Sequence, residues 1–223
     1  MKKRIRIQGM LITFAIIITF ALCNFAFPSW KNEKWDEFLD AVGTVIILSG
    51  FLFRISARGY KEEESLSSHK LVKDGPYVLI RNPMYFGTFL IGMGFVIVLF
   101  NWWALPLFLC PFLLIYIPQI RKEKAILSKQ FGEEYRNYCR ETPIYFPKIS
   151  YLLSIRKYLP LKLSWIKKES SSLIASIVCL MAIEIVQDIR LFGKKELLTE
   201  ALELILTAVI FICIILFVFK VKE

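Results

Sequence analysis

Residues 85–118 read YFGTFLIGMGFVIVLFNWWALPLFLCPFLLIYIP. Two apolar runs, 85–100 and 103–118, are parted only by Asn101-Trp102. A hydrocarbon core about 30 Å thick takes about 20 helical residues to cross. Inside it, backbone amides must be paired within the segment. The stretch therefore reads as a tight hairpin of two membrane helices, with Trp102 and Trp103 at the depth of an interfacial aromatic belt.

Outward from this hairpin the pattern repeats. Apolar blocks at 7–27, 38–55, 171–187 and 198–219 bring the expected spans to six. The expected fold class is all-α: a polytopic transmembrane helix bundle carrying a cytoplasmic amphipathic helix and a polar loop. The chain is 56% hydrophobic over 223 residues, more than a soluble domain of this length requires. The first block follows MKKRIR but is longer than a signal-peptide apolar region, and Phe27-Pro28-Ser29-Trp30 follows it without a small-residue cleavage site. It reads as the first span. Trp30 and Trp35 stand as anchors between the first two spans.

Charge orients the bundle. The net charge is +10. Lys2, Lys3, Arg4 and Arg6 precede the first span, and Arg54, Arg58, Lys61, Lys70, Lys73 and Arg81 are read as a loop after the second. The segment 119–168 is also basic. With six spans these regions share one face, and the positive-inside rule makes it cytoplasmic, together with both termini. Arg190, Lys194 and Lys195 fall on the other side and depart from the rule. Topology and attraction to anionic lipid account for the basic balance, so nucleic acid is not an expected partner. None of the five cysteines form a C-x-x-C pair, and no metal site is expected.

Segment 119–139, QIRKEKAILSKQFGEEYRNYC, differs in kind. Ile120, Leu127, Phe131, Tyr135 and Tyr138 recur at helical steps while the other face is charged. This is an amphipathic helix leaving the fourth span, lying at the cytoplasmic interface.

Two polar segments could carry chemistry. In the first, SHKLVKDGPYVLIRNPMYFG (68–87), Asp-Gly-Pro signals a turn, and Arg81-Asn82-Pro83 starts the third span with a capping asparagine and an N-terminal proline. Capping alone explains part of it. It leaves open the density of His69, Tyr77, Arg81, Asn82 and Tyr85 at a membrane entrance. Gly87, Gly92 and Gly94 permit close approach of another helix or of a ligand. The second is the amphipathic helix with Glu123, read either as a solvated ion-pair partner or as a functional carboxylate.

The two segments, one hairpin apart, together resemble the isoprenylcysteine carboxyl methyltransferase family and its phospholipid methyltransferase relatives. The second half of the pattern is E-x-x-x-L-x-x-x-F-G-x-x-Y-x-x-Y from Glu123, and the resemblance covers about residues 40–148. It divides the chain into a core, 1–150, with four spans and a cytoplasmic cofactor site, and an extension, 151–223, with two further spans. It implies an S-adenosyl-L-methionine pocket of His69, Lys70, Leu71, Val72, Tyr77, Asn82, Pro83, Met84, Tyr85 and Glu123. Glu123, Arg121 and Tyr85 become the candidate catalytic residues, and a membrane lipid or lipidated molecule the expected substrate.

The chain departs from the family where histidine often stands at Asn82 and where a second glutamate often follows Glu123, here Lys124. The prenylcysteine enzymes carry an arginine four residues before the glutamate; here that position is Gln119, and Arg121 lies on another helical face. That weakens the case for a prenylcysteine carboxylate. The implied reaction is methyl transfer to a carboxylate or phosphate oxygen, with amine methylation of phosphatidylethanolamine as the alternative. Positioning does most of the work in such a displacement. A sterol-type NADPH reductase and a non-enzymatic membrane protein are the remaining readings. In the extension, Glu184 and Glu203 are acids within apolar blocks, read as buried polar contacts or as substrate-related groups.

Overall fold

The structure, a computed structural model, describes residues 33–67, 70–99, 104–147, 150–151, 155–191 and a few positions between 202 and 213. Its long elements are α1 (Glu33–Ser67), α3 (Pro83–Leu99), α4 (Ala104–Glu141) and α6 (Leu163–Leu191). Single turns α2 (Pro76–Leu79) and α5 (Ile155–Tyr158) lie between them. The described residues are mostly helical, with no sheet among them. The expected first span, the Asn101-Trp102 connection and most of the sixth span lie outside the described residues.

Among the described residues two helices are long and apolar enough to cross a membrane: Phe38–Glu64 within α1, and α4. Helix α3 is a shorter apolar helix over Pro83–Val98. Helix α1 corrects the sequence expectation at one end. Arg54, Arg58 and Lys61 were assigned to a loop, yet all three continue the helix. Nothing between Ile55 and Ser67 breaks a helix, and Arg54 and Arg58 find a shared partner, Glu169, on α6.

Helices α1 and α3 run antiparallel at contact distance. A methyl group placed on Gly43 would lie 2.8 Å from the carbonyl oxygen of Gly94, and one on Gly50 would lie 2.6 Å from that of Gly87. Backbones come this close only where both residues lack a side chain, the usual device of packed membrane helices. Ile47, Phe51 and Val98 fill the seam on either side, and Phe53 meets Phe86 edge-on at 5.0 Å. Of the two roles open to Gly87 and Gly94, helix packing is the one observed.

Helix α4 packs on α3 through rings. Phe89 faces Phe108 and Phe112 at 6.1 and 5.5 Å, Phe112 meets Tyr116 at 4.5 Å, and Tyr116 meets Tyr85 at 5.0 Å. Gly92 faces the ring of Phe108. The fourth span and the amphipathic segment, expected to separate near Pro118, are one helix that carries Pro111 and Pro118 internally. Each proline removes one backbone donor without ending the helix. The break falls instead at Gly132, at φ 52 and ψ −120, which side-chain-bearing residues rarely adopt. It redirects the last turns so that Tyr135 and Tyr138 point back into the protein, where both are buried.

Helix α6 begins eight residues before the expected fifth span. Trp165 lies against Gly59 and donates its indole N–H to Glu63 at 2.8 Å. Lys162 and Lys168 pair with Glu63 and Glu62. These contacts dock the start of α6 and the residue before it on the C-terminal half of α1.

Candidate functional site

The 70–82 segment is shaped by Gly75, at φ 57, whose α-carbon lies against the ring of Tyr60. The carbonyls of Asp74 and Gly75 accept the N–H groups of Tyr77 and Val78 at 3.2 and 3.1 Å, which closes α2. Proline at the first position of α2 fits because that N–H has no partner within a helix. Three hydrogen bonds then tie the segment down. Tyr77 donates its hydroxyl to the carbonyl of Ala57 at 3.3 Å, Tyr138 donates to the carbonyl of Tyr77 at 2.8 Å, and Arg81 N–H donates to the carbonyl of Pro143 at 2.9 Å. Lys73 pairs with Glu134 at the surface.

The two halves of the sequence pattern thus meet. Leu71, Tyr77, Tyr135 and Tyr138 form a buried cluster with Ala57, and Val72, Met84, Leu127 and Phe131 pack against it. At its edge Tyr85 donates its hydroxyl to Glu123 Oε1 at 2.6 Å, and Gln119 Nε2 donates to the same oxygen at 2.8 Å. The carbonyl of Asn82 accepts the N–H groups of Tyr85 and Phe86 at 3.1 and 3.0 Å, so the start of α3 fixes where the Tyr85 ring points. Tyr77's hydroxyl is held well above the usual tyrosine range, first by burial and then by the neighbouring Tyr138, Glu123 and Tyr85.

Among the residues singled out from sequence, Pro83 is buried, while Asn82, Met84, Tyr85 and Glu123 are half-buried around the cluster. Lys70 is exposed at the turn. Arg121 is exposed, two positions along α4 from Glu123, and so sits on another face. His69 lies outside the described residues. Arg81 carries a feature invisible in the sequence: its Nε is buried without a hydrogen-bond partner among the described residues. Sequence reasoning also missed Glu169, which receives Arg54 at 3.2 Å and Arg58 in a closer pair. The available signal was the i, i+4 spacing of two arginines at the end of an apolar helix. Among the described residues no group of three or more His, Cys, Asp or Glu could hold a metal ion.

The described residues thus hold a carboxylate and a tyrosine-rich cluster where the 70–82 segment meets α3 and α4. Residues 39–134 match the family model described as phospholipid methyltransferase. The chain is similar to protein-S-isoprenylcysteine O-methyltransferase of Tribolium castaneum, at 26% identity over 140 residues, covering 59% of this chain and 49% of the relative. Its counterpart in Schizosaccharomyces pombe is 33% identical over 81 residues, 36% of this chain and 34% of the relative. The nickel-cobalt-cadmium resistance protein NccN of Alcaligenes xylosoxydans xylosoxydans is 35% identical over 94 residues, 41% of this chain and 43% of the relative. The chain spans less than two thirds of the length of these relatives. No solved structure matches it. These matches fall on the part of the chain whose motifs resemble the phospholipid and isoprenylcysteine methyltransferases.

Proposed function

We propose that the protein is an S-adenosyl-L-methionine-dependent integral membrane methyltransferase acting on a carboxylate or phosphate oxygen of a lipid-like or prenylated amphiphile. The observation that carries this reading is the convergence of Tyr85, Gln119 and Glu123 beside the Leu71–Tyr77–Tyr138 cluster. The reading includes a multi-pass topology with both termini and the site on the cytoplasmic face, as the basic segments indicate.

The residues fit the cofactor. Its methionine moiety carries both a carboxylate and an ammonium group. Arg81 offers a buried guanidinium N–H without a partner among the described residues, and Glu123 a carboxylate fixed by two donors. When bound, S-adenosylmethionine supplies an electrophilic methyl on a sulfonium. The remaining work falls to this chain. Tyr85 and Gln119 hold the Glu123 carboxylate in one orientation. Tyr77 and Tyr138 lock the 70–82 segment against α1 and α4. Leu71, Val72 and Met84 supply an apolar wall that excludes water. An oxyanion acceptor is already a nucleophile, so alignment rather than a strong base is what the site must provide. Amine methylation of phosphatidylethanolamine remains the alternative acceptor chemistry, supported by the phospholipid methyltransferase match.

The test is to incubate membranes containing the protein with methyl-labelled S-adenosylmethionine and then to extract lipid and protein separately. Label is expected in one fraction and lost with Glu123→Ala. Base-labile label identifies a carboxyl methyl ester; base-stable label is a methyl phosphate or an N-methyl amine, which chromatography of the released headgroup separates. Absence of S-adenosylmethionine binding by the purified wild type overturns the reading.

A further inference from the structure

Two helices mark the same boundary between apolar and polar surroundings. Helix α3 is apolar from Pro83 onward. Along α4, Leu107, Leu113 and Leu114 are exposed, and the sequence turns polar at Gln119. Tyr116, three residues before that change, meets Tyr85 in the first turn of α3 at 5.0 Å. Both helices therefore pass from apolar to polar at one level, that of Tyr85.

A segment outside both helices is fixed at this level. Past the Gly132 break α4 ends at Glu141, and Thr142, which is buried, donates its N–H to the carbonyl of Tyr138 at 3.0 Å. The next carbonyl, that of Pro143, accepts the N–H of Arg81 at 2.9 Å, two residues before α3 begins. Residues 142–147, Thr-Pro-Ile-Tyr-Phe-Pro, are thus tied beside the start of α3. Pro143 and Pro147 restrict the backbone at either end. From this segment Tyr145 and Phe146 project 64% and 68% exposed. One exposed apolar side chain is ordinary. Two adjacent rings on a restrained segment, at the edge where two helices turn apolar, form a surface.

We propose that residues 142–147 are an interfacial anchor, with the rings of Tyr145 and Phe146 seated in the headgroup layer of a lipid bilayer. The level of the segment is what selects a lipid surface as the partner. Aromatic rings gather where hydrocarbon gives way to headgroups, because an apolar face and a polar edge are both satisfied there. The anchor also bears on the candidate site. Its Pro143 carbonyl holds the Arg81 amide, so the 70–82 segment and the cluster it builds are held at headgroup depth. There the polar head of an amphiphile is met without leaving the bilayer. The anchor rests on the membrane-spanning part of the proposed function and needs no methyl donor.

The test uses full-length Phe146→Trp in phosphatidylcholine nanodiscs, with its tryptophan emission taken as the difference from wild type. The difference emission should be shifted to the blue of tryptophan in water. Lipid brominated near the ester carbonyls should quench it more strongly than lipid brominated near the chain ends, and aqueous iodide should leave it unchanged. Quenching by iodide alone puts the ring in water, and quenching by none of the three puts it against protein, in this chain or a second copy. Stronger quenching from the chain ends puts it in the hydrocarbon core. Each of these results overturns the anchor. Where thermal melting shows that Phe146→Trp does not fold, Tyr145→Trp reads the same surface. Wild type in nanodiscs should also resist chymotrypsin after Tyr145, and cleavage there overturns the proposal without any variant. Carbonate washing of membranes tests the spanning helices separately. A chain released by the wash overturns the membrane reading, whereas a retained chain with an unquenched ring overturns the anchor alone.

Discussion

Tyr85→Phe removes one hydroxyl from the candidate site and little else. The ring keeps its edge contact with Tyr116 at 5.0 Å, so packing of α3 on α4 is retained. What is lost is the 2.6 Å hydrogen bond to Glu123 Oε1. A hydrogen bond to a charged group contributes about 1.5–3 kcal/mol. Because about 1.4 kcal/mol corresponds to a factor of ten, the full range spans about 10- to 150-fold. Glu123 keeps the Gln119 donor at 2.8 Å, which restrains the carboxylate from the other side. The expected loss therefore lies at the lower end, about tenfold in S-adenosylmethionine affinity by calorimetry on purified protein. The melting temperature should stay near that of the wild type. A double-mutant cycle with Glu123→Gln isolates the pair, with an expected coupling of about 1 kcal/mol or more. Affinity within about twofold of wild type in Tyr85→Phe, with Glu123→Gln severely impaired, refutes the positioning role, because that difference is under half a kcal/mol.

Other outcomes follow from the same geometry. Gly50→Leu drives a side chain into the Gly87 carbonyl at a 2.6 Å approach and should cost about 1–3 kcal/mol or more, read as a lower melting temperature. Gly132→Ala meets no neighbour but forces a left-handed conformation on alanine, at about 1–3 kcal/mol; it should redirect Tyr138 and lower methyl transfer more than it lowers stability. Tyr77 has a folded-state pKa raised above its unfolded value near 10, so the stability it contributes is fully present below that pH and is lost as pH rises above it. Wild type should melt progressively earlier in alkaline buffer, and Tyr77→Phe should show a flatter dependence. Glu169→Ala leaves two arginines without their shared carboxylate and should expose α6 to limited proteolysis, with a loss of about 1–3 kcal/mol after allowance for the arginines' exposure.

The apolar blocks made α3 and most of α1 and α4 legible, because hydrocarbon-length runs leave the backbone no alternative to helix. The start of α3 was equally plain from Asn82-Pro83. The meeting of Leu71, Tyr77 and Met84 with Leu127, Phe131 and Tyr138 followed from two motif halves separated by one hairpin. What could not be read was where charge interrupts a helix and where it does not. Arg54 and Arg58 looked like loop residues because charge usually marks the end of a span; their partner Glu169 lies more than a hundred positions away, beyond any local pattern. The fourth span was expected to end at about Pro118, yet α4 runs on through it unbroken. Gly132 gave no warning, since one glycine between Phe131 and Glu133 does not declare its φ. Gln119, noted only as a missing arginine, became a ligand of Glu123 once α4 ran through it unbroken.

The glycine seam between α1 and α3 has a mechanical corollary. With carbonyls pressed against bare α-carbons at two points about one heptad apart, neither helix can slide or rotate past the other without collision. The pair behaves as a fixed rail. If the proposed amphiphilic substrate enters from a bilayer, the widening that admits it must come from parts mounted on that rail: the ring-to-ring joint that carries α4, or the ion-paired joint that carries α6. The first would unseat Glu123 from Tyr85, whereas the second would leave that carboxylate in place, so the side of entry determines whether loading disturbs the reacting geometry.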